Sequence, residues 1–334
     1  MQGIMQRSRR SALTTLFAAA ATLLATVGSA RAADPVELRI GYPTPLIGPH
    51  GAGAKAFEQE LNRLAPGRFK AAQFPAGALG GEREMVESLQ LGTLQMAIVG
   101  SAVIGNFVPD MMVMDLPFLF RDTSHARATL DGPVGKEILA KFTARNLVGL
   151  AFGEVGFRHI TASKRAIRSV DDLKGLKIRT MENPVHLAAF RALGAQPTPM
   201  AWPEVATALQ QGTIDGQENP MSVLVSSKLW ETQKNVTLSR HVFTPIVFVM
   251  SPAFYDKLSP ADQDIVRKAA EAGRAANRAY VDEAERTGVD ELRKHGMQVV
   301  TEVDAAEFQR RLEPVFAQQG AKYGNLITRI KAQK

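Results

Sequence analysis

Cysteine is absent from the whole chain of 334 residues. That excludes a disulfide scaffold, a thiol nucleophile and any thiolate metal site, and leaves a fold held by its core. The six histidines, at 50, 125, 159, 186, 241 and 295, contain no i, i+4 pair and no metal-ligand spacing. Also missing are a GxSxG elbow, a GxxxxGK[ST] loop and a GxGxxG in dinucleotide context. No motif sets a carboxylate pair for acid/base work. The residues therefore call for no catalytic group, no cofactor and no metal. A block of one sign of charge is lacking too. The formal charge of +7 includes Arg7, Arg9, Arg10 and Arg31, with no acids in the first 32 residues, so the remainder carries +3. Its lysines and arginines are scattered among acids, which removes the case for nucleic acid as a partner.

The first 32 residues have a different character. Arg7, Arg9 and Arg10 form a basic n-region, Leu13 to Val27 is an apolar core, and Ala30-Arg31-Ala32 is a small-x-small cleavage site. This is the layout of a secretory signal cut near Ala32, with a periplasmic mature chain starting near Ala33; a membrane-anchoring helix is the alternative. Arg9-Arg10 in SRRSALT leaves twin-arginine export open beside the general route.

The mature region, about 300 residues, is long enough for two cores. Strand and helix patterns alternate through its first two thirds. VELRIGYP (Val36 to Pro43) reads as a strand, with Gly48, Gly51 and Gly53 in the following turn and a helix carrying Phe57 and Leu61. FKAAQF reads as a second strand, REMVESLQL as a helix and LQMAIVG as a buried strand. This alternation predicts an α/β fold with a largely parallel sheet. The phrase SLQLGTLQM (Ser88 to Met96) is echoed by ALQQGTIDG (Ala208 to Gly216), each closing a helix with Gly and entering a strand. The echo favours two related lobes, whose facing strand ends would form a ligand cleft. From Ser259-Pro260-Ala261-Asp262, an N-cap and first-turn signal, helical spacing runs through Ile265, Ala269, Ala272, Ala276, Ala279, Tyr280 and Ala284 toward Leu292, with Gly296 as a stop. A helix of roughly 35 residues spans on the order of 50 Å and must cross more than one lobe. Gly273 and Gly288 leave two shorter helices as the alternative.

Four residues gather at element ends. Arg179 closes the KIR strand just before Asn183-Pro184, an N-cap with a first-turn proline. A guanidinium beside unpaired helix amides suits a carboxylate; a structural salt bridge to Asp171, Asp172 or Glu182 is the competing reading, and spacing leaves the two even. Arg158, in GFRHITASKRAI, offers a second cation or a solvated strand end. Trp202 stands before Pro203 at a strand-to-helix turn, to cover a ligand or to pack between lobes. Asn219 follows the next strand, as an amide donor to an acid or as a turn cap before Pro220.

Taken together, FPAGALGGEREMVESLQLGTLQMAI, DLPFLFRD, GFRHITASKRAI, LKGLKIRTMENP, the run from ALGAQPTPMAW to DGQENP, and LSPADQDIV resemble the substrate-binding proteins of tripartite ATP-independent periplasmic (TRAP) transporters, of the DctP type. The resemblance covers essentially the whole mature chain. It implies a two-lobed periplasmic binding protein with a ligand cleft between lobes and a long lobe-spanning helix. The lobes would be discontinuous: residues 33–156 plus 245–284, and 157–244 plus 285–334. It carries the ligand-binding role onto Arg179, Arg158, Asn219, Trp202 and, less directly, His241. The partners it implies are a small organic acid and the membrane subunits of a TRAP transporter, with the receptor itself a monomer. Sialic-acid-binding members carry an acid where this chain has Gly100-Ser101, which argues against an amino-sugar acid. GYPTPLIGPH and DLPFLF would then select among small mono- or dicarboxylates, hydroxy or keto acids and aromatic acids. A periplasmic carboxylate-processing enzyme and a ligand-presenting sensor remain alternatives.

Overall fold

The structure is a computed structural model that describes residues 34–334; the segment expected to be a secretory signal lies outside the described residues. Among the described residues there are ten strands: β1 (Val36–Gly41), β2 (Phe69–Phe74), β3 (Met96–Gly100), β4 (Val148–Ala162), β5 (Lys177–Thr180), β6 (Gln196–Pro199), β7 (Gly216–Pro220), β8 (Asn235–Thr237), β9 (Phe243–Met250) and β10 (Gln298–Val300). They run in the order β2-β1-β3-β9-β4-β7-β5-β6, with β8 on β4 and β10 on β8.

The phrase echoed in the sequence marks a repeated topology. In the first half β1 lies between β2 and β3, all parallel, with the helices Pro49–Leu64 and Glu82–Gln90 as crossovers. In the second half β5 lies between β6 and β7, again parallel, with crossovers Pro184–Ala192 and Trp202–Gln210. Each second crossover helix is followed by a glycine at positive φ, Gly92 at 76° and Gly212 at 68°, a conformation glycine adopts without the Cβ penalty.

β4 joins the halves. Up to Phe157 it pairs antiparallel with β9, and from Arg158 onward with β7. Its register slips between Glu154 and Gly156, and Gly156 has φ 105°. Each sheet carries an apolar cluster on either face. Leu38, Ile98 and Phe248 sit in one cluster of the first sheet and Val99, Val247 and Phe243 in the other. Ile178 with Phe190 and Leu209 with Ile214 mark the two clusters of the second.

Pro260–Lys294 is one unbroken helix of 35 residues, capped by Ser259 Oγ accepting from Asp262 N. Val266, Ala269 and Ala270 enter a first-sheet cluster and Leu292 a second-sheet cluster, so the helix serves both lobes. Its buried stripe matches the one expected at Ala269, Ala284 and Leu292 and differs between them: Gly273, Asn277, Val281 and Gly288 face inward while Ala279 is exposed. The reason is close approach. A Cβ on Gly273 would lie 2.9 Å from the Gly53 carbonyl, and one on Gly53 would lie 2.8 Å from Phe248. Gly51 and Gly53 are therefore helical residues of Pro49–Leu64, not a turn. Asn277 completes the seam, donating to the carbonyls of Pro49 and Glu154, both at 2.9 Å, and accepting from Glu154 N at 2.8 Å.

The chain end departs from the expected division. Phe308 and Leu312, of helix Ala305–Gly320, pack in the second lobe. Leu326 and Ile330, of helix Gly324–Ala332, pack in the first, where His125 Nε2 lies 2.8 Å from the Ile330 carbonyl. Residues 285–334 therefore do not all share one lobe, because the last apolar stripe matches the first-lobe surface.

Candidate functional site

The C-terminal ends of β1, β3, β5 and β7 converge on one cavity, the place where open α/β sheets receive ligands. The first lobe contributes Thr44 after β1, His50 in the first turn of its helix, Glu82 at the start of the next helix, and Gly100 at the end of β3. The second contributes Arg179, Met181, Trp202 and Asn219, while Val155 and Arg158 of β4 and Thr244 of β9 form the back.

Arg179 is 3% exposed. None of Asp171, Asp172 and Glu182 holds it: Asp171 pairs with Arg311, Asp172 caps Ser169, and Glu182 lies 3.6 Å from Arg83. Its Nε and Nη2 both donate to the Met200 carbonyl, at 2.9 and 2.6 Å. That carbonyl occupies one edge of the guanidinium, and among the described residues no protein acceptor meets Nη1. Burial, with the Arg158 charge beside it, lowers Arg179 to about 10, so it stays charged at neutral pH. The ring of Trp202, the first residue of its helix, has its centroid 5.6 Å from the Arg179 guanidinium carbon, within cation–π range.

Arg158 is 1% exposed, which overturns the reading of a solvated strand end. It faces Glu218 across two bonds, Nε to Oε2 and Nη2 to Oε1 at 2.9 Å, and its Nη1 donates to Thr244 Oγ1 at 3.2 Å. Burial alone would raise the Glu218 carboxyl; Arg158, with His186 and His241, instead holds it well below the usual carboxylate range. Asn219 is not a turn residue: it lies within β7, opposite His159 of β4, and its Nδ2 donates to Gln217 Oε1 at 2.5 Å. One amide hydrogen remains for another acceptor.

Residues 41–322 match the family described as bacterial extracellular solute-binding protein, family 7. The chain belongs to this family. A solute-binding protein of Verminephrobacter eiseniae is 48% identical over 295 residues, 88% of each chain. A TRAP periplasmic solute-binding protein from Polaromonas sp. JS666, bound to D-erythronate, superposes with a TM-score of 0.88 at 46% identity, covering 90% of this chain and 99% of that one. One from Bordetella, with ligand density assigned as pantoate, superposes at 0.87 and 48% identity, covering 90% and 99%. The protein is thus a TRAP-type solute-binding protein with the two-lobed architecture of that group.

In this family 7 protein His241 does not line the cavity. Its Nε2 lies 3.2 Å from Glu218 Oε2 and its Nδ1 2.8 Å from Ser239 Oγ; it backs the carboxylate that grips Arg158. DLPFLF is likewise absent from the wall, with Asp115 buried beneath it and accepting from Ser101 Oγ at 2.8 Å. GYPTPLIGPH does reach the wall, through Pro43, Thr44 and His50, whereas Glu82 carried no signal in spacing. Glu82 stands just before the REMVESLQL helix of the sequence, and its Oε1 accepts from Gly100 N at 2.6 Å. Burial raises its carboxyl, against that bond and the two arginine charges. His50 Nδ1 lies 3.0 Å from Thr44 Oγ1, and burial pushes the imidazole down to about 3, leaving it neutral. Among the described residues no group of three or more His, Asp or Glu is placed to hold a metal, and no helix is long and apolar enough to cross a membrane.

Proposed function

We propose that this chain is a periplasmic receptor that closes its two lobes over one small hydroxy-carboxylate and delivers it, unchanged, to the membrane subunits of a TRAP transporter. The observation that carries this reading is Arg179: a buried guanidinium with one edge held by a backbone carbonyl and the other directed at a cavity. A carboxylate there takes two charge-assisted bonds from Nη1 and Nη2. Asn219 adds a neutral donor, Arg158 one hydrogen of Nη1, and Trp202 an apolar cover. Thr44, His50 and Glu82 supply partners for hydroxyls. Two relatives hold a four-carbon-chain hydroxy acid, erythronate in one and pantoate in the other, which supports the same class here.

The lobes in this reading follow the switch of β4 at Phe157, the strand β9 and the long helix, with the last helix joined to the first lobe. Export proceeds through cleavage after Ala32, and N-terminal sequencing of exported protein starting more than a few residues from Ala33 would refute that part. A thermal-shift screen of organic acids tests the receptor role. A ligand at about 100 times its dissociation constant adds about 2.7 kcal/mol to stability. Consumption of the bound acid, or no stabilisation by any hydroxy acid, would refute it.

A further inference from the structure

Resting on that reading, we infer that Glu82 makes this a monocarboxylate site: the cavity accepts an acid with a single anionic group, hydroxylated along its chain, and rejects the dicarboxylate of the same skeleton. Two independent counts lead there.

The first is charge. Arg158 and Arg179 bring two positive charges to the cavity wall, but Glu218 already neutralises Arg158 from behind through a two-bond ion pair. His50 is buried and adds no charge. Glu82, 9% exposed, is the remaining ionisable side chain of the wall. Arg179 and Glu82 already offset each other in net charge, so a single ligand carboxylate held by the Arg179 fork brings the wall to one net negative charge. A second would stand in the same cavity, among side chains that are themselves buried, with two carboxylates already there and no cation left over. Like charges in such a space repel with little screening.

The second is donors. Arg179 spends Nε and one Nη2 hydrogen on Met200. Arg158 spends Nε and Nη2 on Glu218, twice through Nη2, and one Nη1 hydrogen on Thr244. Asn219 spends one amide hydrogen on Gln217. What remains is three hydrogens of Arg179, two on Nη1 and one on Nη2, one of Arg158 and one of Asn219, about the four sites that a single carboxylate accepts and one to spare. The other polar groups of the wall, the Thr44 and Thr244 hydroxyls and the His50 ring, donate and accept without a positive charge, and the Glu82 carboxylate only accepts. They fit alcohols.

The test uses matched pairs in which one CH₂OH becomes COO⁻: D-erythronate against meso-tartrate, and D-galactonate against galactarate. Calorimetry on the mature wild-type receptor at neutral pH is expected to show at least one hydroxy monocarboxylate binding 10-fold or more tightly than its dicarboxylate. Glu82→Gln keeps the shape and removes the charge, so it should narrow that ratio by on the order of 10- to 100-fold, as expected for one charge a few ångströms away at intermediate dielectric. Equal wild-type affinity within a pair, or a ratio untouched by Glu82→Gln, overturns the inference while leaving the receptor standing. Binding of none of the four overturns the hydroxy-acid reading itself. If Glu82→Gln does not fold, as judged by its melting transition, the wild-type ratio alone decides, because it requires no variant.

Discussion

Replacing Arg179 by Lys keeps a positive charge and removes a geometry. In the wild type one edge of the guanidinium is spent on Met200, through bonds of 2.9 and 2.6 Å, and the other is free. A lysine ammonium reaching the same place must divide three donors between that carbonyl and the ligand, with no planar second edge. It forfeits roughly one of two charge-assisted bonds, each about 1.5–3 kcal/mol. That is roughly 10- to 150-fold in dissociation constant. Arg179→Ala is harsher. It removes the charge and leaves both the ligand carboxylate and the Met200 carbonyl unsatisfied, a loss of about 2–5 kcal/mol. Titration calorimetry with D-erythronate, or the best acid from a screen, measures both variants once ligand-free melting shows they fold. Arg179→Lys binding within about twofold of wild type would refute the argument, since charge alone would then suffice.

Trp202 lines the cavity whereas Trp230 does not, so ligand should change the intrinsic fluorescence of the wild type and hardly that of Trp202→Phe; a response that persists in the variant moves the reporter elsewhere. Stability should also depend on acid pH through His159. Burial, with the neighbouring positive charges of His241, Arg240 and Arg158, lowers it from 6.5 to about 3. Between those values the unfolded chain binds a proton that the folded chain refuses, so stability is fully present above about pH 6.5 and is lost as pH falls toward 3. His159→Gln should flatten the decline in melting temperature between pH 7 and 4.5, and an unchanged slope would contradict this assignment.

How much of this was legible depended on whether the partner lay nearby in the chain. The strand FKAAQF coincides with β2, and the Ser259 cap begins the long helix, because both signals are local. The echo at Gly92 and Gly212 identified a real topological repeat for the same reason. Gly51 and Gly53 misled, and Gly273 left a helix break open, because a glycine at a helix crossing looks like a glycine in a turn; only the partner helix tells them apart. Arg179 was visible as a cation at a strand end, but which of its edges is free depends on Met200, 21 residues on. Arg158 is gripped by Glu218 from 60 residues away, and no spacing rule reaches that far. Glu82 stayed hidden because its carboxylate folds onto Gly100 at the end of the following strand, a contact made by tertiary packing.

The most direct test of a carboxylate receptor is calorimetry of one acid against its own reduced form, D-erythronate against erythritol. The two differ at the single group that Arg179 is argued to hold. The account predicts one-to-one binding of the acid, recovery of the acid unaltered, and no measurable binding of the tetrol. Erythritol binding as tightly as erythronate would contradict it.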